Sequence, residues 1–256
     1  MATVDEEEGV RLPGGNVAGA YRVGDTVRRE TGPWTPAVHA LLDHLAARRT
    51  PCVPRVHGID HRGREILDFL PGRIIDVDQD RLADAQLIEL TRFAVRLHRD
   101  TADFTHPGPW RFPGPPQASG IGHNDLAPYN VCFDGDRLTG VFDWDLAGPT
   151  TPALELGMIA WTAVPLFTPD PIEKQAYRLQ LIADTHGGIT AHELIDATLE
   201  RTRLAIEGIT AAIAAGDAGM IHLAETAGEP TRMSRARQAL IERCPQLRRA
   251  LGRRGR

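Results

Sequence analysis

The stretch 121–130, IGHNDLAPYN, gathers a histidine, two asparagines and an aspartate around a proline-bearing turn, just before the β-prone residues VCF. It follows the pattern H-x-D-x-x-x-x-N, from His123 through Asp125 to Asn130. Thirteen residues further on, the segment VFDWD contributes Asp143. A lone H-x-D most often belongs to a hydrogen-bonded turn, and a lone asparagine often caps one. The combination of these side chains at this spacing instead indicates a functional site.

The residues between Asn130 and Asp143 predict a β-hairpin. VCFDGDRLTGVF, residues 131–142, has two β-prone runs around the turn signal DGD. Such a hairpin would hold Asn130 at the start of one strand and Asp143 at the end of the other, so that two oxygen ligands converge on a hard cation. Magnesium suits them, because it binds few protein oxygens, keeps several waters and completes its coordination with substrate phosphates. Asp125 lies on the loop, where it can face an incoming hydroxyl group and accept its proton.

The chain before this region predicts a small β-sheet crossed by one helix. Residues 16–30 and 55–69 each offer two short β-prone runs, around the turns VGD and HRG. Between them, residues 34–47 place apolar side chains at helical spacing, with Thr35 as the predicted N-cap and Pro36 as the first helical residue. The first part of the chain is therefore expected to be rich in strands.

The pattern changes after FLPG, residues 69–72, where the apolar spacing becomes helical. One helix is predicted to begin near Asp80, and TAHE, residues 190–193, predicts a capping box at the start of another. The fold class is therefore α+β, a bilobal architecture with a small β-rich N-lobe and a larger, mainly helical C-lobe. Such an arrangement has one natural cleft, where the two lobes join.

The overall composition is that of an ordinary soluble protein. Hydrophobic residues make up 42% and charged residues 25% of the chain, which excludes disordered, collagen-like and coiled-coil classes. The acidic start MATVDEEEGV lacks an apolar h-region, and the longest apolar stretch is too short to cross a bilayer, so we expect a cytoplasmic protein without a membrane partner. Three widely spaced cysteines without a C-x-x-C pair favour neither a disulfide framework nor a zinc ribbon.

The net charge of -5 is unevenly distributed along the chain. Residues 151–230 carry 11 Asp and Glu against 4 Lys and Arg, whereas residues 231–256 carry 1 against 9. An acidic region of this kind favours a cationic ligand, although solvated helix faces would give the same counts. The basic tail lacks interleaved aromatic residues and a binding motif, so no nucleic-acid partner is expected.

HNDLAPYN and VFDWD together resemble the motifs of the aminoglycoside phosphotransferase family, which shares the protein-kinase-like fold. The resemblance is close over residues 121–157. It implies that Asp125 is the catalytic aspartate and that Asn130 and Asp143 are ligands of Mg²⁺. It also implies a structural role for His123, which would brace the loop through hydrogen bonds.

The same resemblance, looser over the first part of the chain, implies an ATP site there. ILDFLPG, residues 66–72, would be the hinge, where the backbone of Asp68 and Leu70 meets the adenine. LPGGNVAG would cover the phosphates and places Gly15 among the nucleotide contacts, although its glycine pattern is not G-x-G-x-x-G.

The predicted hinge divides the chain into two lobes. Residues 1–72 would form the N-lobe, with the nucleotide-covering sheet and the hinge. Residues 73–256 would form the C-lobe, with the catalytic loop at 121–145 and a helical substrate-binding region over about 151–256.

Two positions depart from the protein-kinase pattern, in which a lysine on the third strand pairs with a glutamate on the crossing helix. The strand reads TVRRE, so Arg28 is predicted to contact the phosphates, with Arg29 as the alternative register. Arginine keeps its charge and can bind phosphate through two nitrogens. The helix offers Val38 or His39 where the glutamate is expected. Either another group orients Arg28, or the nucleotide is held less tightly than in the family at large.

The predicted function is that of a kinase which uses ATP and Mg²⁺ to phosphorylate a hydroxyl group of a small molecule. A cationic antibiotic or an amino-bearing metabolite would fit the acidic region as acceptor. One alternative is a catalytically silent nucleotide-binding module. Another is a metal-dependent hydrolase with a two-metal centre on His123, Asp125, Asp143 and Asp145.

Two further acidic residues near the motif are assigned from their positions. Asp145 would either assist the metal or cap the following loop, and the sequence leaves both roles open. Glu155, in PALELG, falls where the family commonly has an acidic residue that anchors the metal loop, and a structural role is expected for it.

Overall fold

The computed structural model describes residues 9–12, 19–77 and 80–254. Among these residues, no single helix has both the length and the apolar character needed to cross a membrane. One pair of consecutive helices, Ala191–Ala214 and Ala218–Ala227, reaches that composition only when taken together, across a bend of 115°.

An antiparallel sheet forms the first part of the described chain. Its strands are β1 Val10–Arg11, β2 Tyr21–Val23, β3 Thr26–Arg29, β4 Val56–Ile59 and β5 Glu65–Asp68. They are ordered β1-β2-β3-β5-β4, so β3 and β5 are neighbours although a helix separates them in the chain. The turns VGD and HRG join β2 to β3 and β4 to β5, which confirms both predicted hairpins.

The predicted crossing helix is α1, Thr35–Ala47. Thr35 is its first residue rather than its N-cap, because Trp34 takes the cap position and the Thr35 hydroxyl accepts the backbone N–H of Gly32 at 2.9 Å. Leu41 and Leu45 are completely buried on the inner side of this helix. Burial of a leucine side chain contributes about 1.5–3 kcal/mol, so these contacts fix the helix against the sheet.

The predicted hairpin at 131–142 is confirmed. It consists of β8 Val131–Asp134 and β9 Arg137–Val141, paired antiparallel, and Gly135 in its turn has a φ of 59°. Three further short strands complete the sheets around it: β6 Arg73–Ile74, β7 Gly120–Gly122 and β10 Gly148–Thr150. β6 pairs with β8, and β7 pairs with β10. The strand pairs β8–β9 and β7–β10 thus lie on either side of the HNDLAPYN segment.

Helices make up most of the remaining described chain. They are α2 Asp84–Asp100, α3 Pro152–Ala163, α4 Ile172–His186, α5 Ala191–Ala214, α6 Ala218–Ala227 and α7 Thr231–Arg254. The capping box at Thr190 and Glu193 is confirmed, with each side chain accepting the other residue's backbone N–H. The prediction that α2 begins near Asp80 was wrong by one turn. Gln86 caps the backbone N–H of Ala83 at 3.0 Å, which starts the helix at Asp84.

A single apolar core connects the sheet to the helices. It includes Leu41 from α1, Leu67 from β5, Leu90 from α2, Trp144 beside the hairpin and Leu156 from α3. Trp144 is only 1% exposed, so its side chain anchors the residues on either side of it to the core. The observed architecture, a β-rich first part and a helical second part, confirms the predicted α+β class. The division at residue 72 stays a prediction.

Candidate active site

His123 connects the two motifs that the sequence singled out. Its side chain is fully buried, its Nδ1 accepts the backbone N–H of Asp125 at 3.2 Å, and its Nε2 lies 3.0 Å from the carbonyl oxygen of Phe142. Because Nδ1 accepts, Nε2 is the nitrogen that donates to the Phe142 carbonyl. The ring also packs edge-on against Trp144, with 4.6 Å between the centroids. His123 thus holds the HNDLAPYN loop to the VFDWD segment.

We expect His123→Ala to lower the free energy of unfolding by about 1–3 kcal/mol, because it leaves the buried Phe142 carbonyl and the Asp125 amide without a partner. Urea denaturation followed by circular dichroism would measure this loss. The exposed His192→Ala is the matched control and should change stability little. Equal stability of the two variants would contradict the bracing role.

Asp125 and Asn130 form a close pair at the end of the loop. The Nδ2 of Asn130 donates to the Oδ2 of Asp125 at 2.7 Å and to its backbone oxygen at 2.9 Å. The hydroxyl of Tyr129 donates to the other carboxylate oxygen at 3.0 Å. With both hydrogens of its amide directed at Asp125, Asn130 has its Oδ1 left to bind a cation. Burial and the negative charge of Asp143 raise the pKa of Asp125, which makes its carboxylate a better proton acceptor.

Asp143 lies beside Asn130 because the hairpin folds back on itself. The backbone N–H of Phe142 donates to the carbonyl oxygen of Asn130 at 3.0 Å, immediately before Asp143. Asp143 has φ 61° and ψ 65°, the left-handed conformation. A non-glycine residue there costs on the order of 1–3 kcal/mol, and such residues cluster at functional sites. This backbone conformation directs a half-exposed carboxylate away from the core that holds Trp144.

Arg29 contacts three carboxylates at this site. Its Nη2 lies 2.9 Å from Asp143 Oδ1 and 3.0 Å from Asp145 Oδ1, and its Nη1 lies 3.4 Å from Glu65 Oε1. Burial alone would lower the pKa of Arg29, but the three carboxylates outweigh it and raise the pKa above its usual value. The arginine therefore stays charged and balances a group of acidic side chains that would otherwise repel one another.

Arg28, which was predicted to contact the phosphates, does not face Asp143 and Asp145, so the geometry favours Arg29 for that contact. Arg28 donates from Nη1 to the Thr26 hydroxyl at 2.6 Å and lies 3.8 Å from Asp60, on the opposite face of the strand from Arg29. Successive side chains of a strand point to opposite faces, so only one of the two arginines can face the carboxylates. The alternative register, with Arg29 inward, is the one that the structure has.

Glu65 is the acidic partner of the strand arginine. The sequence offered no glutamate on the helix for this position. The side chain of Glu65 is only 4% exposed and lies between Arg29 and the Nε2 of His39, which is 2.9 Å from Glu65 Oε2. Sequence reasoning missed it, although a signal was present. Strand alternation puts Glu65 on the same buried face as Leu67, and an acidic residue at a core-facing position needs a partner.

Asp145 lies between two arginines. Besides Arg29, it contacts Arg111, whose Nη1 is 3.5 Å from Asp145 Oδ2 and whose Nη2 is 3.1 Å from Asp217 Oδ1. The Arg111 guanidinium also stacks on the ring of Trp34, 4.2 Å from its centroid. Asp145 therefore links the N-terminal sheet to the loop that precedes α6, a role that the sequence did not suggest. These partners come from distant segments, and no local motif marks them.

Glu155 and Arg201 both hold the catalytic-loop segment through the backbone of Asn124. The Oε2 of Glu155, which is fully buried, accepts the backbone N–H of Asn124 at 3.1 Å, and Arg201 of α5 donates to the carbonyl oxygen of Asn124. The contact of Glu155 agrees with the structural role expected for it. Arg201 was missed by sequence reasoning; its positive charge partly offsets the raised pKa of Asp125.

Glu155 should make the stability of the protein depend on pH. Burial raises its pKa, but the nearby His98 and the N–H of Asn124 together outweigh burial and leave the pKa below its usual value. The Nε2 of His98 lies 3.9 Å from Glu155, too far for a hydrogen bond but close enough for attraction. A lowered folded-state pKa stabilises the protein above the unfolded pKa of about 4.3, and this contribution is lost as the pH falls through the folded pKa.

We therefore expect the wild type to be more stable than Glu155→Gln at pH 7, and the difference to shrink as the pH falls below about 4.3. Urea unfolding of both proteins across this range would measure it. Glu225→Gln, at an exposed position, serves as the control and should show no such trend. A difference that grows on acidification would refute the sign.

The nucleotide residues predicted by resemblance are only partly described. Gly15 lies outside the described residues. Asp68 ends β5, and its carboxylate accepts the backbone N–H of Arg55 at 3.1 Å and lies 2.7 Å from the Nε2 of His57. Leu70, two residues later, packs against Gly140 of the hairpin. The contacts of Asp68 and Leu70 with adenine stay predictions.

Most acidic side chains of residues 151–230 already have partners within the protein. Arg203 pairs with Glu200 and Glu207, both at 2.6 Å, and other acids pair with arginines from distant helices and loops. These ion pairs balance only part of the acidic charge that the count of residues 151–230 gives. Near the catalytic-loop segment, Arg29, Arg111 and Arg201 bring positive charge.

Comparisons with known proteins give the same assignment as the site. The model of the phosphotransferase enzyme family matches residues 109–189. The trifolitoxin immunity protein of Rhizobium leguminosarum bv. trifolii is 32% identical over 192 residues, which cover 69% of this chain and 73% of that protein.

Solved structures resemble the fold at low sequence identity. An amicoumacin kinase has a TM-score of 0.63 at 12% identity and covers 93% of this chain and 89% of its own. A microcompartment-associated aminopropanol kinase has a TM-score of 0.58 at 16% identity, with 94% and 91% covered. A macrolide 2'-phosphotransferase from Brachybacterium faecium has a TM-score of 0.52 at 18% identity, with 86% and 91% covered. These likenesses confirm the predicted bilobal, kinase-like fold. The chain thus belongs to the aminoglycoside phosphotransferase family, whose members are phosphotransferase enzymes.

Proposed function

We propose that the protein is a kinase that uses ATP and Mg²⁺ to transfer the γ-phosphoryl group to a hydroxyl group of a small molecule. The observation that carries this proposal is the convergence of Asp125, Asn130, Asp143 and Arg29 at one place, with a carboxylate, an amide oxygen, a second carboxylate and a guanidinium. Phosphoryl transfer depends mainly on positioning and on charge stabilisation, and these four groups supply both.

The donor groups fit a magnesium ion. Asn130 would offer Oδ1, since its amide hydrogens are bonded to Asp125, and Asp143 would offer its half-exposed carboxylate. The guanidinium of Arg29 already lies on Asp143, which supports this carboxylate as a cation-binding group. Bound there, Mg²⁺ would neutralise charge on the phosphates.

Asp125 would receive the acceptor hydroxyl. Its two carboxylate oxygens are held by Tyr129 and Asn130, which fixes the direction of the remaining lone pairs. Its raised pKa favours proton uptake from the hydroxyl as the oxygen attacks phosphorus.

The nucleotide would lie against the N-terminal sheet. Arg29 is proposed to bind its phosphates, the backbone of Asp68 and Leu70 its adenine, and the segment around Gly15 to cover it. The amicoumacin kinase of the same fold was solved with AMP-PNP, which supports ATP as the donor. A cytoplasmic location, where ATP and Mg²⁺ are abundant, follows from this proposal.

The acceptor is proposed to be an antibiotic or an amino-bearing metabolite. Support comes from similar proteins, namely a related trifolitoxin immunity protein and, of the same fold, an amicoumacin kinase and an aminopropanol kinase. Ion pairs with arginines balance only part of the acidic charge of residues 151–230, so this region still favours a cationic or amino-bearing acceptor.

The two alternative functions are less well supported. Among the described residues, no group of three or more His, Cys, Asp or Glu side chains could hold a metal, so the two-metal centre of a hydrolase is not assembled on His123, Asp125, Asp143 and Asp145. A silent nucleotide-binding module would have no need for the ordered contacts of Asp125 with Tyr129 and Asn130.

A screen for ADP release tests the proposal. The purified protein is incubated with ATP and Mg²⁺ and with single antibiotics or hydroxylated amino metabolites, and each reaction is repeated without acceptor. We expect one chemical class to increase ADP release and a phosphorylated product to appear in its mass spectrum. Nucleotide binding without turnover on any acceptor would favour the silent module. Release of phosphate from an added phosphate ester, such as p-nitrophenyl phosphate, in the absence of ATP would favour the hydrolase.

A further inference from the structure

We propose that His39 and Glu65 act as positioning residues that hold Arg29 in its nucleotide-binding orientation. This inference rests on the proposed function, because Arg29 is the residue assigned there to the phosphates. The helix lacks the glutamate that would orient the strand arginine, and these two residues would take its place. The acid that orients the strand arginine comes from the neighbouring strand, and the helix supplies a histidine that holds the acid.

The pairing of Arg29 with Glu65 is fixed by the sheet. The two residues are directly opposite each other in the antiparallel pair β3–β5. Side chains at opposite positions of neighbouring strands lie close together, so a one-residue shift would separate them. The contact between Arg29 Nη1 and Glu65 Oε1, at 3.4 Å, therefore follows from strand register rather than from a flexible helix side chain.

The pairing of Glu65 with His39 comes from α1. Val38, the preceding residue, is only 3% exposed and belongs to the core, and Leu41 and Leu42 of the same helix are completely buried. These contacts fix the rotation of the helix about its axis and direct His39 at the sheet. The imidazole Nε2 then lies 2.9 Å from Glu65 Oε2, on the carboxylate oxygen that Arg29 does not contact.

Burial explains why Glu65 needs both partners. The exposed fractions of the side chains are 4% for Glu65, 15% for His39 and 19% for Arg29. A carboxylate removed from water is stable only when it is paired and its oxygens are hydrogen-bonded. His39 holds one oxygen, and thereby keeps the other directed at Arg29.

The shape of the arginine transmits this constraint to the site. A guanidinium is planar and rigid, so anchoring Nη1 on Glu65 sets the direction in which Nη2 points. At present Nη2 points at Asp143 and Asp145. If Asp143 binds a cation, as proposed, Glu65 is the partner of Arg29 that remains fully inside the protein.

Nucleotide binding is the appropriate readout, because it does not require the acceptor to be known. Isothermal titration with AMP-PNP and Mg²⁺ compares the wild type with Glu65→Gln, His39→Ala and His39→Gln. We expect Kd to rise about 10-fold or more in Glu65→Gln and His39→Ala, as is common when a partner that orients a binding group is lost. His39→Gln, whose amide can still donate to Glu65, should recover most of the affinity.

A double variant separates positioning from general damage. If His39 acts through Glu65, adding His39→Ala to Glu65→Gln should raise Kd little further. Asp43→Ala, on the exposed face of the same helix, is the control and should leave Kd unchanged. Thermal unfolding of each variant shows that the measured protein is folded, and the isosteric Glu65→Gln is used alone if His39→Ala does not fold. Once an acceptor is known, KM for ATP should rise more than kcat falls.

The outcomes distinguish this inference from the proposed function. Wild-type binding of AMP-PNP, with unchanged Kd in folded Glu65→Gln, overturns the positioning role and leaves the kinase proposal intact. If the losses of binding free energy of the two single variants add up in the double variant, His39 does not act through Glu65. No binding of AMP-PNP to the wild type would overturn both.

Discussion

Replacement of Asp125 by alanine is expected to lower kcat for phosphoryl transfer by about 10²- to 10⁴-fold, the usual contribution of a positioned proton acceptor. The affinity for ATP should stay nearly unchanged. The physical reason is the position of Asp125, whose carboxylate is held by Tyr129 and Asn130 and has a raised pKa, whereas the nucleotide is proposed to bind Arg29 and, through Mg²⁺, Asp143.

The measurement combines ADP release with isothermal titration of AMP-PNP on the same preparations. Asp136→Ala is the matched control, because Asp136 is an exposed aspartate in the turn of the neighbouring hairpin. A variant at Asp125 that kept its turnover would remove this residue from the mechanism, and a large loss of nucleotide affinity would show that it acts in binding instead.

Replacement of Asp143 by asparagine is expected to abolish the dependence of nucleotide binding on Mg²⁺. The substitution keeps the size of the side chain but removes the charge that would bind the ion and that now pairs with Arg29. Loss of a residue that merely orients a ligand costs about 10- to 100-fold in metal affinity, and loss of the ligand itself should cost at least that much.

Titrations of AMP-PNP at several Mg²⁺ concentrations would test this. The wild type should bind more tightly as Mg²⁺ rises, and Asp143→Asn should not. Asp134→Asn, at the other end of the same strand pair, replaces an exposed aspartate paired with Arg137 and should behave like the wild type. Unaltered Mg²⁺ dependence in Asp143→Asn would mean that another group holds the ion.

The elements that the sequence predicted correctly are those with local causes. The hairpins β2–β3, β4–β5 and β8–β9 each follow from two β-prone runs around a turn signal, and the capping box at Thr190 follows from two residues three positions apart. The start of α2 was misplaced, because the cap depends on the side chain of Gln86 rather than on an acidic residue.

The choice between Arg28 and Arg29 shows where local reasoning stops. Both arginines suit phosphate, and the strand pattern fits either register. What selects Arg29 is the face of β3 that is turned toward Asp143 and Asp145, together with the acid opposite it on β5. The burial of Glu65 could have been predicted from alternation with Leu67, but its partners could not.

By itself, the sequence determined the α+β class and the approach of Asn130 to Asp143, because a short turn and antiparallel pairing bring the two ends of a hairpin together wherever it lies. Only the tertiary structure decided what surrounds them. Glu65, Arg111 and Arg201 come from segments far apart in the chain. Their contacts depend on how α1, the N-terminal sheet and α5 pack on a common core, which no spacing along the chain encodes.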